Sequence, residues 1–199
     1  MVEYRINLRL EYMKLGKVAI TGVLWIIVVG LGFWLYKIIQ DPVQFEKDYD
    51  IRFKMTTERM EDVRIAQGFY FKSKGEYAGN FDDLIASIKN DLITEIVING
   101  NADDTSIVTT YDTLKYYIND KIELLTTSNA DSLRKIPLTG EDFEMQAGIL
   151  KLQRVKVPVY EVRAPKVKYL KNLKSEYWSL KDDLVMGSVV EATDKGNWE

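Results

Sequence analysis

The sequence contains no cysteine and no histidine. Without cysteine the chain can form no disulfide, no thiolate nucleophile and no cysteine-bound metal. The lack of histidine removes the commonest general base and most zinc sites. Phosphate-binding glycine loops and metal-binding helix motifs are missing as well. We therefore predict a protein that is not an enzyme, with no catalytic residue, no cofactor and no metal site.

Basic residues are also too few for a nucleic-acid surface. The chain has 27 Lys and Arg against 30 Asp and Glu, and residues 1–37 hold five of the basic and two of the acidic residues. The remaining chain has 22 against 28, a net charge of −6. Because phosphates attract basic surfaces, nucleic acid is not an expected partner. These roughly 160 residues suffice for one domain with its own core.

Charge is entirely absent from residues 18–36, VAITGVLWIIVVGLGFWLY. At about 1.5 Å of rise per residue, this segment spans the roughly 30 Å hydrocarbon core of a bilayer. A cleaved signal peptide and a buried core helix are the two alternatives to a membrane anchor. The apolar run of a signal peptide is shorter than this one, and a core helix is rarely apolar on all its faces. We predict a transmembrane helix over residues 18–39 with the lipid bilayer as partner. Its anchoring residues are Val18, Leu24, Trp25, Ile26, Ile27, Val28, Leu31, Phe33, Trp34 and Tyr36.

The flanks of this segment predict its orientation. Residues 1–17 carry four basic and two acidic residues, whereas Asp41, Glu46, Asp48 and Asp50 follow the span. Short flanks rich in Lys and Arg stay in the cytoplasm. We expect a cytoplasmic tail over residues 1–17 and a single extracytoplasmic domain over residues 40–199. In a Gram-negative cell this is an inner-membrane protein with a periplasmic domain.

A helix is predicted over residues 43–74, with Asp41 as its N-cap and Pro42 in its first turn. Thr56 and Gln67 stand in a heptad-like stripe that is otherwise apolar or aromatic, and charged residues fill the positions between. Two interpretations stay open: the stripe packs on the protein's own sheet, or it forms a seam with neighbouring subunits. The stripe residues singled out for this role are Tyr49, Phe53, Met60, Val63 and Tyr70.

Residues that typically end or begin helices divide the rest of the chain into segments. Gly75 is a natural end for the long helix, and Asn80 a natural cap for a second helix reaching about Lys89. Segments around residues 96–98 and 107–108 favour strands with a turn at 99–101, and the spacing at 112–125 predicts a helical face. Residues 143–149 and 155–162 read as strands, 166–173 as a short helix or loop, and 186–192 as a last strand. Helices followed by antiparallel strands predict an α+β fold.

Local sequence carries a resemblance to a known family. Residues 64–70, RIAQGFY, followed by GEY at 75–77 and FDDL at 81–84, are similar to the segment that closes the long helix in type II secretion pseudopilins and type IV pilins. Asp194 and Asn197-Trp198 are similar to the acidic, calcium-linked loop that ends major pseudopilins. The chain also resembles uncharacterised single-pass envelope proteins of Bacteroidota in residues 143–148, 157–161 and the terminal Gly-Asn-Trp-Glu.

This resemblance implies a pilin-like head: a transmembrane helix that continues into a long amphipathic helix packed on a small antiparallel sheet. It also implies partners, namely other single-helix envelope proteins or further copies of the chain. Gly16-Lys17 departs from the pilin processing site, so only the fold and the helix-to-head turn carry over. The residues assigned to that turn are Ala66, Gly75, Tyr77, Phe81 and Leu84.

Three functional hypotheses remain. The leading one is a non-catalytic, membrane-anchored structural or assembly component of an envelope machine. The second is an anchored binding module that uses aromatic residues around Tyr177, Trp178 and Trp198, which otherwise pack in the core along a helical face that Leu180 and Leu184 would continue. The third is a hydrolase that uses carboxylates, with Asp103, Asp104, Glu141 and Asp142 as candidates by residue type alone.

Overall fold

Helices and small antiparallel sheets make up the protein, so the predicted α+β class is confirmed. The computed structural model describes the backbone of residues 2–99, 110–127, 129–152 and 154–199, and their side chains except at 2–18, 96–99 and 110–112. The chain divides into two compact units, Met1–Lys47 and Asp48–Glu199. We call the second unit the head.

Helix α1 extends over Val2–Lys74 and includes the whole uncharged segment. Residues 19–40 are all exposed to solvent. Among the described residues, α1 is the one helix that is long and apolar enough to cross a membrane. Pro42 lies inside this helix, so Asp41 is not a helix N-cap. The expected continuation of the apolar helix into the amphipathic helix is confirmed. Proline removes one backbone donor, and the helix tolerates that loss here.

The end of α1 follows the predicted local signals. The helix stops at Lys74, and Gly75 adopts φ 78° while its N–H donates to the Phe71 carbonyl at 2.8 Å. Glycine accepts this left-handed conformation without steric cost. Helix α2 then covers Phe81–Asn90, and the Asn80 side chain accepts a hydrogen bond from the Asp83 N–H. The predicted stop and cap are both confirmed.

A two-stranded sheet follows, and it corrects one expectation. Strand β1, Leu92–Asn99, pairs antiparallel with β2, Thr110–Tyr117, before the short helix α3, Ile118–Lys121. The helical face predicted over residues 112–125 is therefore wrong. The stretch is rich in Thr and Tyr, which favour strands, and pairing with β1 overrides the helical spacing of its apolar residues. The predicted turn at 99–101 and strand at 107–108 lie largely outside the described residues.

A three-stranded antiparallel sheet forms the second half of the head, in the order β3-β4-β5. Strands β3, Glu144–Leu152, and β4, Val155–Ala164, agree with the predicted strands. Strand β5 covers Leu184–Gly187, so the expected strand over 186–192 is wrong in both bounds. It pairs with residues 161–164 alone, and Pro158 therefore lies on a stretch of β4 without a β5 partner, as expected for a proline in a strand. Helix α4 is Lys166–Tyr169.

Short 3-10 helices complete the head, at Ala130–Arg134 and Ser175–Leu180. Leu184 begins β5, so the helical face expected to run from Tyr177 to Leu184 is wrong. One hydrophobic core is formed by residues of α1, α2, β1, α3, the three-stranded sheet and α4. Its most buried large side chains include Met60, Leu84, Ile118, Val162 and Tyr169, each fully buried.

Candidate functional site

The predicted anchoring residues of α1 whose side chains the structure describes are all exposed, at half of their surface or more. Their exposed fractions range from 50% at Ile27 to 73% at Ile26, and the side chain of Val18 lies outside the described part. Each square ångström of apolar surface left in water costs about 25 cal/mol, so a contiguous uncharged surface of this size favours an apolar environment. This segment has the length and composition of a membrane anchor. The exposed anchor residues are Leu24, Trp25, Ile26, Ile27, Val28, Leu31, Phe33, Trp34 and Tyr36.

The predicted stripe lies on the side of α1 that faces the core of the head. Met60 and Val63 are fully buried. Thr56 and Gln67, the two polar members of the stripe, are buried as completely, at 1% and 0% exposure. Tyr49, Phe53 and Tyr70 are half-buried and pack against the core cluster. The arrangement favours the interpretation that the stripe packs on the protein's own fold.

Arg52 fastens the first turns of the head to helix α4. Its Nη1 donates to the Tyr169 carbonyl at 3.0 Å and to the Lys171 carbonyl at 2.6 Å. These carbonyls come at the end of α4, where backbone acceptors lack partners within the helix. Burial lowers the pKa of Arg52, and the nearby Asp48 opposes that shift. The ring centroids of Tyr49 and Tyr169 lie 6.5 Å apart, which adds an aromatic contact between the same two segments.

Asp62 is a charged residue that lies fully inside the head, although its position suggests a solvated face. Its carboxylate accepts hydrogen bonds from the N–H groups of Leu125 and Thr126, and from the Thr126 hydroxyl. Arg59 Nε lies 4.0 Å from the same carboxylate, and it donates to Thr126 Oγ1 at 2.6 Å. Buried carboxylates are tolerated when charge and hydrogen bonds compensate them. The network ties α1 to the segment 125–132, where Arg59 also donates to the Ser132 carbonyl.

Four of the residues assigned to the helix-to-head turn are buried or half-buried in the head. Ala66, Phe81 and Leu84 are buried in the core. The half-buried Tyr77 ring stacks on Phe71 with centroids 4.9 Å apart and contacts the Tyr160 ring at 4.7 Å. These contacts dock the turn against strand β4, on which Tyr160 stands.

Gln67 is the residue of this turn that the sequence pattern misses. Its Nε2 donates to the Ala78 carbonyl and its Oε1 accepts from the Ala78 N–H, both at 2.9 Å. Gln67 is fully buried, and Ala78 is exposed by only 1%. A side-chain amide thereby satisfies two buried backbone groups at once. The available signal was a polar residue in an otherwise apolar stripe, but its partner 11 positions away could not be read from spacing.

Of the carboxylates considered for hydrolysis, the two that the structure describes each pair with a lysine. Glu141 forms an ion pair with Lys171, and Asp142 lies 2.6 Å from Lys135 Nζ. Asp103 and Asp104 lie outside the described residues. Within the described ranges no three His, Cys, Asp or Glu residues are grouped to hold a metal ion.

The aromatic residues considered for binding are partly enclosed by the head. Trp178 and Trp198 are half-buried and pack against the core cluster, and Tyr177 is half-buried as well. Most of each Trp ring is therefore packed within the head. Their packing supports the core interpretation of these residues.

Comparison with known proteins gives no match to a protein family, to a curated protein or to a solved structure.

Proposed function

We propose that the protein is a non-catalytic, membrane-anchored structural component of an envelope assembly, with a cytoplasmic N-terminus and a periplasmic, pilin-like head. One observation carries the proposal. The same helix, α1, supplies the uncovered apolar segment and, through Met60 and Val63, the centre of the head's core. An anchor built from a core helix suits a protein that holds its head at a membrane.

A second observation concerns the side of α1 that turns away from the head's core. Ile51 is 54% exposed and Met55 36% exposed, one helical turn apart. Such a surface can contact another single-helix envelope protein or a second copy of the chain. It supports the proposed lateral assembly better than the stripe does, because Met60 and Val63 are occupied inside the head.

Orientation is tested with single cysteines, since the chain has none of its own. Glu3→Cys and Ser179→Cys place thiols in the proposed cytoplasmic tail and on the exposed surface of the head. A membrane-impermeant maleimide added to spheroplasts is expected to label Ser179→Cys, and to label Glu3→Cys only after lysis. The reverse pattern would contradict the orientation, and equal labelling in intact spheroplasts would contradict a spanning anchor.

Assembly is tested by comparing apolar-to-aspartate variants on the exposed side of α1 with one elsewhere on the head. Ile51→Asp and Met55→Asp are expected to fold but to lose oligomers in mild detergent, measured by cross-linking and light scattering. Leu180→Asp is the matched control, because Leu180 is 76% exposed and lies in a 3-10 helix elsewhere on the head. Unchanged oligomers in both α1 variants, or a monomeric wild type, would refute lateral assembly through this surface.

The alternative function is an anchored binding module. A cavity of about 190 Å³ beside Asp194 is the observation that favours it.

A further inference from the structure

A small cavity opens between strand β4 and the loop that follows β5. Its volume is about 190 Å³, comparable to one large side chain. The part of β4 that lines it precedes the stretch paired with β5. The wall is therefore a strand edge interrupted by a proline, which discourages strand addition and leaves the side chains to recognise a ligand. The cavity is lined by Tyr77, Val157, Pro158, Tyr160 and Asp194, among others.

Gly187 sets the position of the loop that carries Asp194. It has φ 73°, and a Cβ at this position would lie 2.3 Å from the Tyr160 carbonyl oxygen. Only glycine lets the chain leave β5 so close to β4. Its N–H then donates to the Lys195 carbonyl at 2.9 Å, which closes the loop over residues 188–194. Asp194 is thereby held at the cavity by the backbone.

The Tyr160 hydroxyl is a buried polar group left without a partner. Tyr160 is 2% exposed, and its oxygen forms no hydrogen bond with any described residue. Buried hydroxyls are almost always bonded, because leaving one unpaired costs free energy. A phenol oxygen can both donate and accept. Tyr160 lines the cavity, but its oxygen has almost no accessible surface, so a ligand group that bonds to it has to displace the surrounding side chains.

The charge at the cavity is negative. The Asp194 carboxylate makes no ion pair or hydrogen bond within the part of the chain that the structure describes. The charge of Arg64 opposes that of Asp194 at Tyr160. Arg64 lies 3.2 Å from Glu61 and also pairs with Glu199, so its charge is offset. Burial raises the pKa of Tyr160, and Asp194 raises it further. Burial and then Asp194 also raise the pKa of Tyr77. The field of one unpaired carboxylate thus reaches both phenols.

We propose that this cavity binds the side-chain cation of an arginine or lysine presented by a partner protein. The cationic head would donate hydrogen bonds to the Asp194 carboxylate and to the Tyr160 oxygen. The aliphatic stem would lie along Val157 and Pro158, since long basic side chains cover apolar surface while their heads stay polar. Calcium fits the site poorly, because it takes six to eight oxygen ligands and the cavity offers one carboxylate. The inference rests on the binding-module alternative, so its failure leaves the assembly role untouched.

The test uses the full chain in mild detergent with a chelator present. The probes are N-acetyl-arginine methylamide and N-acetyl-lysine methylamide, with N-acetyl-citrulline methylamide as the neutral, isosteric control. Binding is followed by amide chemical shifts of residues 157–160 and 192–195. Saturable shifts with at least one cationic probe and none with citrulline are expected. Equal shifts with arginine and citrulline, or no saturable shift with either cationic probe, would overturn the proposal.

Two variants make the test specific to the cavity. Asp194→Asn is expected to weaken binding at least tenfold, in the range of a lost charge-assisted hydrogen bond. Glu191→Gln removes the same charge from the same loop outside the cavity lining, and it is expected to change the affinity less than twofold. Tyr160→Phe keeps the ring packing and is expected to weaken binding as well. Equal affinities of Asp194→Asn and wild type would refute the site even if the probes bind.

Discussion

Gln67 and Ala78 are joined by two hydrogen bonds of 2.9 Å, one in each direction between a side-chain amide and a backbone peptide group. Both residues are buried, so neither backbone group of Ala78 can turn to water instead. Gln67 Nε2 also lies 3.2 Å from the Met145 sulfur on β3. One side chain therefore fixes the segment that follows α1 against the helix.

Replacing Gln67 with leucine is expected to destabilise the head by about 3 kcal/mol. The change keeps the side chain's size and leaves the Ala78 N–H and C=O without partners, each of which costs about 1–3 kcal/mol when buried. Urea unfolding of the full chain in mild detergent, followed by near-ultraviolet circular dichroism, measures the loss. Gln146→Leu on the exposed side of β3 is the control, expected to stay within about 0.5 kcal/mol of wild type. Similar losses in the two variants would contradict the role given to Gln67.

Asp62→Asn tests the buried network with a change of one atom. It is expected to cost about 3 kcal/mol or more, because Arg59 loses its countercharge and an amide donor replaces an acceptor beside Thr126. Hydrogen exchange at the Leu125 and Thr126 amides is expected to accelerate more than exchange in β3. Glu58→Gln, on an exposed pair 3.9 Å from Lys54, is expected to change stability by less than about 0.5 kcal/mol. Unchanged exchange at Leu125 and Thr126 in Asp62→Asn would refute the network.

The parts of the fold that sequence predicts well depend on contacts close along the chain. The α1 stop at Gly75 and the Asn80 cap involve partners within four residues, so their signals are local. The apolar segment of α1 needs no partner at all to be recognised. These elements follow from length, spacing and backbone preference.

The parts that sequence misses depend on distant partners. The apolar residues from Leu114 to Leu125 have helical spacing, so the sequence predicts a helix where most of β2 lies. The pairing of β2 with β1 is set by register rather than by spacing. Asp62 and Gln67 look like ordinary polar positions until residues 125–126 and Ala78 are placed against them. The cavity at Asp194 likewise joins residues 77, 157–160 and 192–194, which no motif connects.

The ion pair between Lys74 and Asp91 is expected to contribute to the free energy of unfolding in a way that depends on pH in the acid range. Their ion pair, at 3.0 Å, joins the last turn of α1 to the residue after α2. The hydrogen bond from Ser87, and then Lys74, lower the pKa of Asp91 below its ordinary value of 3.8. A depressed folded-state pKa stabilises the protein above pH 3.8, and this contribution is lost as the pH falls further through the folded-state value.

Asp91→Asn is therefore expected to lower the urea midpoint at neutral pH and to match wild type at the acid end. The difference is expected to be small and to shrink with salt, because both side chains are partly exposed. Asp120→Asn, at an exposed position in α3, serves as the control. A gap between Asp91→Asn and wild type that stays unchanged from neutral pH to the acid end of the titration would contradict this assignment.

Alanine substitutions at three glycines distinguish the cost of backbone strain from the cost of steric overlap. Gly148→Ala is expected to be neutral or slightly stabilising, since its Cβ meets open space and φ is not positive. Gly140→Ala has equal space but φ 68°, and is expected to cost about 1–2 kcal/mol. Gly187→Ala combines φ 73° with a Cβ 2.3 Å from the Tyr160 carbonyl oxygen, so it is expected to cost about 3 kcal/mol or more.

The same Gly187 variant is also expected to displace the loop that carries Asp194. Amide shifts of residues 188–195 measured below the unfolding transition detect that displacement, and arginine-probe binding is expected to weaken with it. Equal stability losses in Gly140→Ala and Gly187→Ala would show that the close approach to Tyr160 costs nothing. Because the overlap is with backbone rather than a flexible side chain, relief requires β4 and the loop to separate. The stability loss and the loop displacement should therefore appear together at Gly187 and not at Gly140.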